Sequence, residues 1–170
     1  MDFSGSHILS IDQFSRSDVE KLFSIADSLE PYSSKSKVTR VLEGAILGNM
    51  FFEPSTRTRI SFGASFNLLG GNVREITEVS SSSLAKGESL VDTAKVLSGY
   101  SDIIVMRHPE EGSVQEFAEA SRVPVINGGD GANEHPSQAL LDLYTIEKEL
   151  SQNSKTIDGL RIALVGDLKF

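Results

Sequence analysis

Apolar runs of strand length alternate with stretches of helical period along most of this chain, and that alternation limits the fold more than any other feature. Residues 44–52 (GAILGNMFF) read as a buried strand that Pro54 breaks. A helix can start at Ser55 or Thr56. Within it Phe62, Phe66 and Leu69 share one face and Ile60, Ala64 and Leu68 another, before Gly70-Gly71 stops it. Shorter strands are expected over 73–79, 102–106 and 123–127, with helical patterns at 90–97 and 113–120. Pro136 suits the first turn of a long helix running to about residue 150. Ahead of these, Ser15 or Ser17 can cap a helix to about Leu29, which Pro31 ends; Val19, Leu22, Phe23, Ala26 and Leu29 form its apolar face. Such alternation predicts an α/β fold, a parallel β-sheet of about four strands flanked by helices on both faces.

A further apolar run, 161–167 (RIALVGD), follows the polar linker SQNSKTIDG and reads as one more strand. The expected organisation is a first domain over 1–150, then a linker and the first strand of a truncated second α/β domain over 151–170. The net charge of −8 argues against a general nucleic-acid or membrane-surface binder, which needs a basic face. With no cysteine there is no disulfide, thiolate nucleophile or thiolate metal site. No apolar run approaches the ~20 residues of a membrane span, and the first twenty residues lack the pattern of a signal peptide. A soluble, cytoplasmic protein is therefore expected.

Against that acidic background, four polar loops stand out, each just after an expected strand: FFEPSTRTR, SSSLAKGES, VMRHP and GGDGANEHPS. In an open α/β sheet ligands bind beyond the carboxyl ends of the strands, so these loops can share one crevice. Together they offer Ser55, Thr56, Arg57, Thr58, Ser82, Lys86, Arg107, His135 and Gln138. This basic, hydroxylic set suits a small anion joined to a carbonyl or amide. A helix amino terminus presents unpaired N–H groups to an anion, and Arg57 can add two parallel hydrogen bonds. His135 and Gln138, three apart at a helix start, can face one way and read a carbonyl oxygen and an NH2 group. Taken singly, each has a plainer reading. Ser55 can be an ordinary cap, Lys86 a solvated loop charge, Arg107 a strand-end surface charge, and the last pair a helix-start histidine beside an exposed glutamine. His108 points away from Arg107, because neighbours on an extended chain face opposite sides. Asp130, Glu134 and His135 lack a second histidine or cysteine at metal-ligand spacing. No nucleophile elbow, Walker-type phosphate loop or dinucleotide fingerprint occurs.

In this order FFEPSTRTR, SSSLAKGES, VMRHP and HPSQALLDLYTI resemble the motifs of the aspartate/ornithine carbamoyltransferase family, its aspartate-specific members above all. The likeness begins near residue 44 and covers the carbamoyl-phosphate-binding half, while VGDLKF resembles the opening strand of the acceptor-binding half. It implies that Ser55, Thr56, Arg57 and Thr58 hold the phosphate. Arg107 would bridge the phosphate and the carbamoyl oxygen, Thr58 and His135 would also touch that oxygen, and Gln138 would hold the NH2 group. The family likeness further implies a homotrimer whose sites lie between subunits, with Ser82 and Lys86 reaching into a neighbour's site. Regulatory subunits are left open. The implied reaction carries the carbamoyl group of carbamoyl phosphate to the α-amino group of L-aspartate, in pyrimidine biosynthesis, with no metal or organic cofactor. Aspartate would bind through the second half. Ornithine stays open as the acceptor, as does a non-catalytic carbamoyl-phosphate-binding module for these 170 residues alone. Gly63 departs from the glutamate common at that place in the family, a difference expected to touch helix packing more than chemistry.

Overall fold

The computed structural model describes residues 2–77 and 83–166. Strands and helices alternate as α1 (Arg16–Ser33), β1 (Ile46–Phe51), α2 (Thr56–Leu68), β2 (Asn72–Ile76), α3 (Leu90–Leu97), β3 (Ile103–His108), α4 (Ser113–Ala120), β4 (Val125–Asp130) and α5 (Pro136–Gln152). The sheet runs β2-β1-β3-β4 with every pair parallel. β1 thus has its successor on one side and β3 on the other, so the winding reverses between β1 and β3. The crevice beyond their carboxyl ends is the topological switch point, where open sheets of this kind bind ligands.

Side-chain alternation along the strands builds a core on each face. Leu47, Phe51 and Val105 point to the side covered by α2, which adds Phe62 and Phe66. Met50, Phe52, Ile104, Met106 and Val125 point to the other side, against Ala94 of α3 and Val114, Phe117 and Ala118 of α4. Ile60, on the second apolar face expected for α2, is exposed. Upstream of α1 the chain lies beside β4, with Ile8 N–H donating to the Val125 carbonyl and Asn127 N–H to the Ile8 carbonyl.

Several element limits differ from the sequence-based expectation. α1 does not stop at Pro31 but continues to Ser33. The missing N–H there costs one bond to the carbonyl of exposed Asp27, which solvent can supply. β2 is described as far as Ile76; residues 78 and 79 of the expected strand lie outside the described residues. β3 continues through Arg107 and His108, and β4 through Gly128, Gly129 and Asp130, which had read as loop. Residues 161–165 form no strand, against expectation. A strand needs neighbours for its N–H and C=O groups, and this run is open to solvent, with Val165 93% exposed. Periodicity marks a segment able to pair but cannot supply a partner.

Candidate functional site

The reversal of winding brings three chain segments to the carboxyl ends of β1 and β3. Ser55, Thr56, Arg57 and Thr58 from the start of α2, Arg107 from the end of β3, and His135 and Gln138 from the start of α5 line one open cleft of about 980 Å³. Ser61 and Ser65, a turn or two along α2, and Leu141 of α5 extend it.

The start of α2 differs from those of α1 and α3. Ser15 accepts the Asp18 N–H at the start of α1, and Ser89 accepts the Asp92 N–H at the start of α3. Ser55 occupies the same place on α2 with extended backbone, yet its side chain makes no capping bond, and the first turn holds no acidic residue. Both the helix N–H groups and the Ser55 hydroxyl therefore remain available to an anion, where the helix dipole favours negative charge. This removes the plain-cap reading of Ser55. Arg57 is exposed and has no carboxylate partner among the described residues. Arg59, two residues on, turns to the sheet instead and pairs with Glu75 at 3.2 Å. One arginine of STRTR faces the cleft, and the other is structural.

Arg107 sits opposite Phe51 in the β1–β3 ladder, on the α2 side of the sheet. Its Nε donates to Oε2 of Glu53 at 3.0 Å, a partly buried ion pair. Gly129 leaves the guanidinium little room: a Cβ there would lie 3.1 Å from Cζ and Nε of Arg107. Glu53 and Gly129 thus fix the guanidinium, and neither was picked out from sequence. Glu53 was in plain view within FFEPS, but only the fold shows that it reaches β3. His108 takes the other face as expected: it is buried, edge-on to Phe52, and its Nδ1 accepts the Glu110 N–H.

His135 is the residue before α5, with Pro136 next in the first turn, and its side chain makes no capping bond. Burial, then the nearby Arg107 charge, hold its imidazole below the ordinary histidine range; Asp142 opposes both. A neutral ring is thereby favoured. Nδ1 lies 3.2 Å from the Ser137 hydroxyl; when that hydroxyl donates, the ring proton sits on Nε2 as a hydrogen-bond donor. Ser137 is a further residue that sequence reasoning passed over. Gln138 donates to Asp142 at 2.9 Å, which holds its amide at the rim. Asp130 and Glu134 are engaged elsewhere: Asp130 accepts the Gly112 N–H, and Glu134 accepts from Ser10 and the Ile11 N–H. Lys86 ends a short 3-10 turn (Ser83–Lys86), is exposed, and does not line the cleft. Ser82 lies outside the described residues.

Residues 6–148 match the family described as aspartate/ornithine carbamoyltransferase, carbamoyl-P binding domain. The aspartate carbamoyltransferase catalytic subunit of Saccharophagus degradans is 75% identical over 169 residues, covering 99% of this chain and 50% of that protein. The catalytic subunit from Thermococcus onnurineus is 48% identical over 170 residues, covering 100% of this chain and 54% of its own. Among solved structures, aspartate transcarbamoylase from Trypanosoma cruzi in complex with carbamoyl phosphate and aspartate superposes with a TM-score of 0.88 at 44% identity, over 97% of this chain and 53% of that one. The chain spans about half the length of the curated relatives it matches. No described helix is long and apolar enough to cross a membrane. By the extent of that match, the chain belongs to the aspartate/ornithine carbamoyltransferase family, within its carbamoyl-P binding domain.

Proposed function

We propose that this chain forms the carbamoyl-phosphate half of an aspartate carbamoyltransferase, a cytoplasmic enzyme of pyrimidine biosynthesis that makes N-carbamoyl-L-aspartate and phosphate. The observation that carries this reading is the uncapped start of α2 in the same cleft as Arg57, Arg107 and His135. In it the α2 N–H groups, the hydroxyls of Ser55, Thr56 and Thr58, and Arg57 take the phosphate. Arg107, anchored through Nε, turns its remaining N–H groups to the phosphate and the carbamoyl oxygen. Neutral His135 and Thr58 donate to that oxygen, and Gln138 orients the NH2 group.

The aspartate amine attacks the carbamoyl carbon, forming a C–N bond while the C–O bond to phosphate breaks. Negative charge gathers first on the carbonyl oxygen and then on the leaving phosphate, which can accept the proton lost by the amine. Donors already in place at the oxygen lower the barrier, each typically by a few kcal/mol. His135 serves as a donor, not as the base, in keeping with its lowered proton affinity.

Aspartate is favoured over ornithine because the similar catalytic subunits carry that name. We assign aspartate binding to a second half that residues 151–170 lead into, and take residues 1–150 as the first domain. Lys86, away from the cleft of its own chain, suits the reading in which it and Ser82 serve a neighbouring copy's site in a homotrimer. Regulatory subunits are compatible with this arrangement. The 170 residues alone would bind carbamoyl phosphate without turnover. Assaying the full-length protein with carbamoyl phosphate and either amino acid tests the proposal. Carbamoyl-aspartate formation is expected; citrulline formation, or no transfer to either acceptor, would overturn it.

A further inference from the structure

Beneath α2, outside the cleft, lies a polar cluster built on Asn49, Arg59 and Glu75. Asn49 is fully buried in the middle of β1. Its Nδ2 donates to the carbonyl of Arg59 at 3.1 Å and to Oε1 of Glu75 at 2.9 Å. Arg59 Nη1 donates to the other carboxylate oxygen of Glu75 at 3.2 Å. Gly63 lies over this cluster: a Cβ there would stand 3.7 Å from both Asn49 Nδ2 and Glu75 Oε1, ordinary contact distance.

Asn49 Oδ1, by contrast, is buried with no hydrogen-bond partner among the described residues. An unsatisfied buried acceptor of this kind is ordinarily unfavourable, and an apolar residue at position 49 would avoid it. The amide group acts through its two N–H bonds: one holds the Arg59 turn of α2 directly, and the other holds Glu75 of β2, whose carboxylate pairs with Arg59. That turn adjoins the first turn, whose N–H groups face the cleft. Arg59 is two residues past Arg57, which on a helix is about 200° of rotation. Tying Arg59 to β2 therefore turns Arg57 toward the cleft.

We propose that Asn49 and Glu75 are positioning residues for the anion site. They set the depth and rotation of the start of α2, and they hold Arg59 on the sheet side so that a single guanidinium of STRTR meets the ligand. The inference rests on the carbamoyl-phosphate reading of the cleft and adds residues that do not touch the ligand.

The test measures carbamoyl phosphate binding by titration calorimetry in the full-length protein, well below each variant's melting temperature. Glu75→Ala should weaken binding about tenfold, the scale on which small displacements of a positioned group act. Gly63→Asp/Glu75→Ala returns a carboxylate to the same space from the helix, four residues after Arg59, and should bind within about threefold of wild type. A melting temperature lowered in Glu75→Ala with unchanged affinity would mean a merely structural role and overturns the inference. Should Glu75→Ala fail to fold, Glu75→Gln takes its place: it keeps an acceptor for Asn49 but loses the ion pair, and unchanged affinity in it is equally fatal. If the wild-type protein binds no carbamoyl phosphate, the reading of the cleft falls and this inference with it. Binding by wild type and equally by Glu75→Ala overturns the inference alone.

Discussion

Glu53 and Arg107, from the ends of neighbouring strands β1 and β3, share an ion pair of 3.0 Å that uses the arginine's Nε and leaves its Nη groups directed elsewhere. The pair is partly buried, with side chains 21% exposed for Arg107 and 35% for Glu53, so solvent screens some of its strength. Glu53→Ala keeps the positive charge in the cleft but frees the guanidinium to sample other rotamers. Affinity for carbamoyl phosphate should fall about fivefold, equivalent to roughly 1 kcal/mol of lost ordering. Calorimetric titration of the variant checks this, and tighter binding would show that Glu53 acts as a competitor for Arg107 and not as its anchor.

Arg57 presents the opposite situation, an exposed guanidinium with no carboxylate partner among the described residues. Its removal disturbs no core contact, so thermal stability should change by no more than about 0.5 kcal/mol. Activity of the full-length enzyme should fall about a hundredfold or more, because a positioned charge facing the leaving phosphate is lost. Parallel melting curves and steady-state kinetics separate the two effects; near-normal turnover would remove Arg57 from the site.

Much of this was legible in the sequence because it depends on period and position. Strand–helix alternation gave the layers, and strand ends gave the loops that meet at the cleft. The rest depends on contacts between segments distant in sequence. Gly128 and Gly129 read as loop because glycine has low strand preference, yet they extend β4 where a Cβ would lie tightly against Val105 and Arg107, at 3.2 and 3.1 Å. Glu53 and Glu75 looked like ordinary charges until the sheet order set them beside Arg107 and Asn49. Arg59 shared the pattern of Arg57, and only the presence of β2 beneath α2 separates their roles. The apolar run after the linker had strand character but no strand beside it.

His135 yields a pH prediction whose sign follows from its surroundings. Burial and the Arg107 charge lower its folded-state pKa beneath the ordinary value of about 6.5. The unfolded chain therefore binds the proton more readily. The stability this neutral ring contributes is present in full above about 6.5 and is lost as the pH falls from there through the folded-state value. Arg107→Gln removes the repelling charge and should move the His135 midpoint upward. With three histidines in the chain, NMR titration can follow each imidazole separately; a midpoint that stays or falls in the variant would discount Arg107 as a cause.

Gly129 tests how far the cleft depends on backbone placement behind Arg107. Its φ of +129° is one that residues with a side chain rarely adopt, and an added Cβ would meet the guanidinium at 3.1 Å. Gly129→Ala combines backbone strain of about 1–3 kcal/mol with a push on Arg107 that its contact to Glu53 resists. Gly112 is a matched control: its φ is +84°, but a Cβ there meets nothing within 4 Å. Both alanine variants should melt below wild type, since both carry strain. Only Gly129→Ala should also lose carbamoyl phosphate affinity, by about tenfold, because it alone displaces a group that faces the ligand. Equal affinities in the two variants would show that Arg107 finds its working position without the surface Gly129 provides.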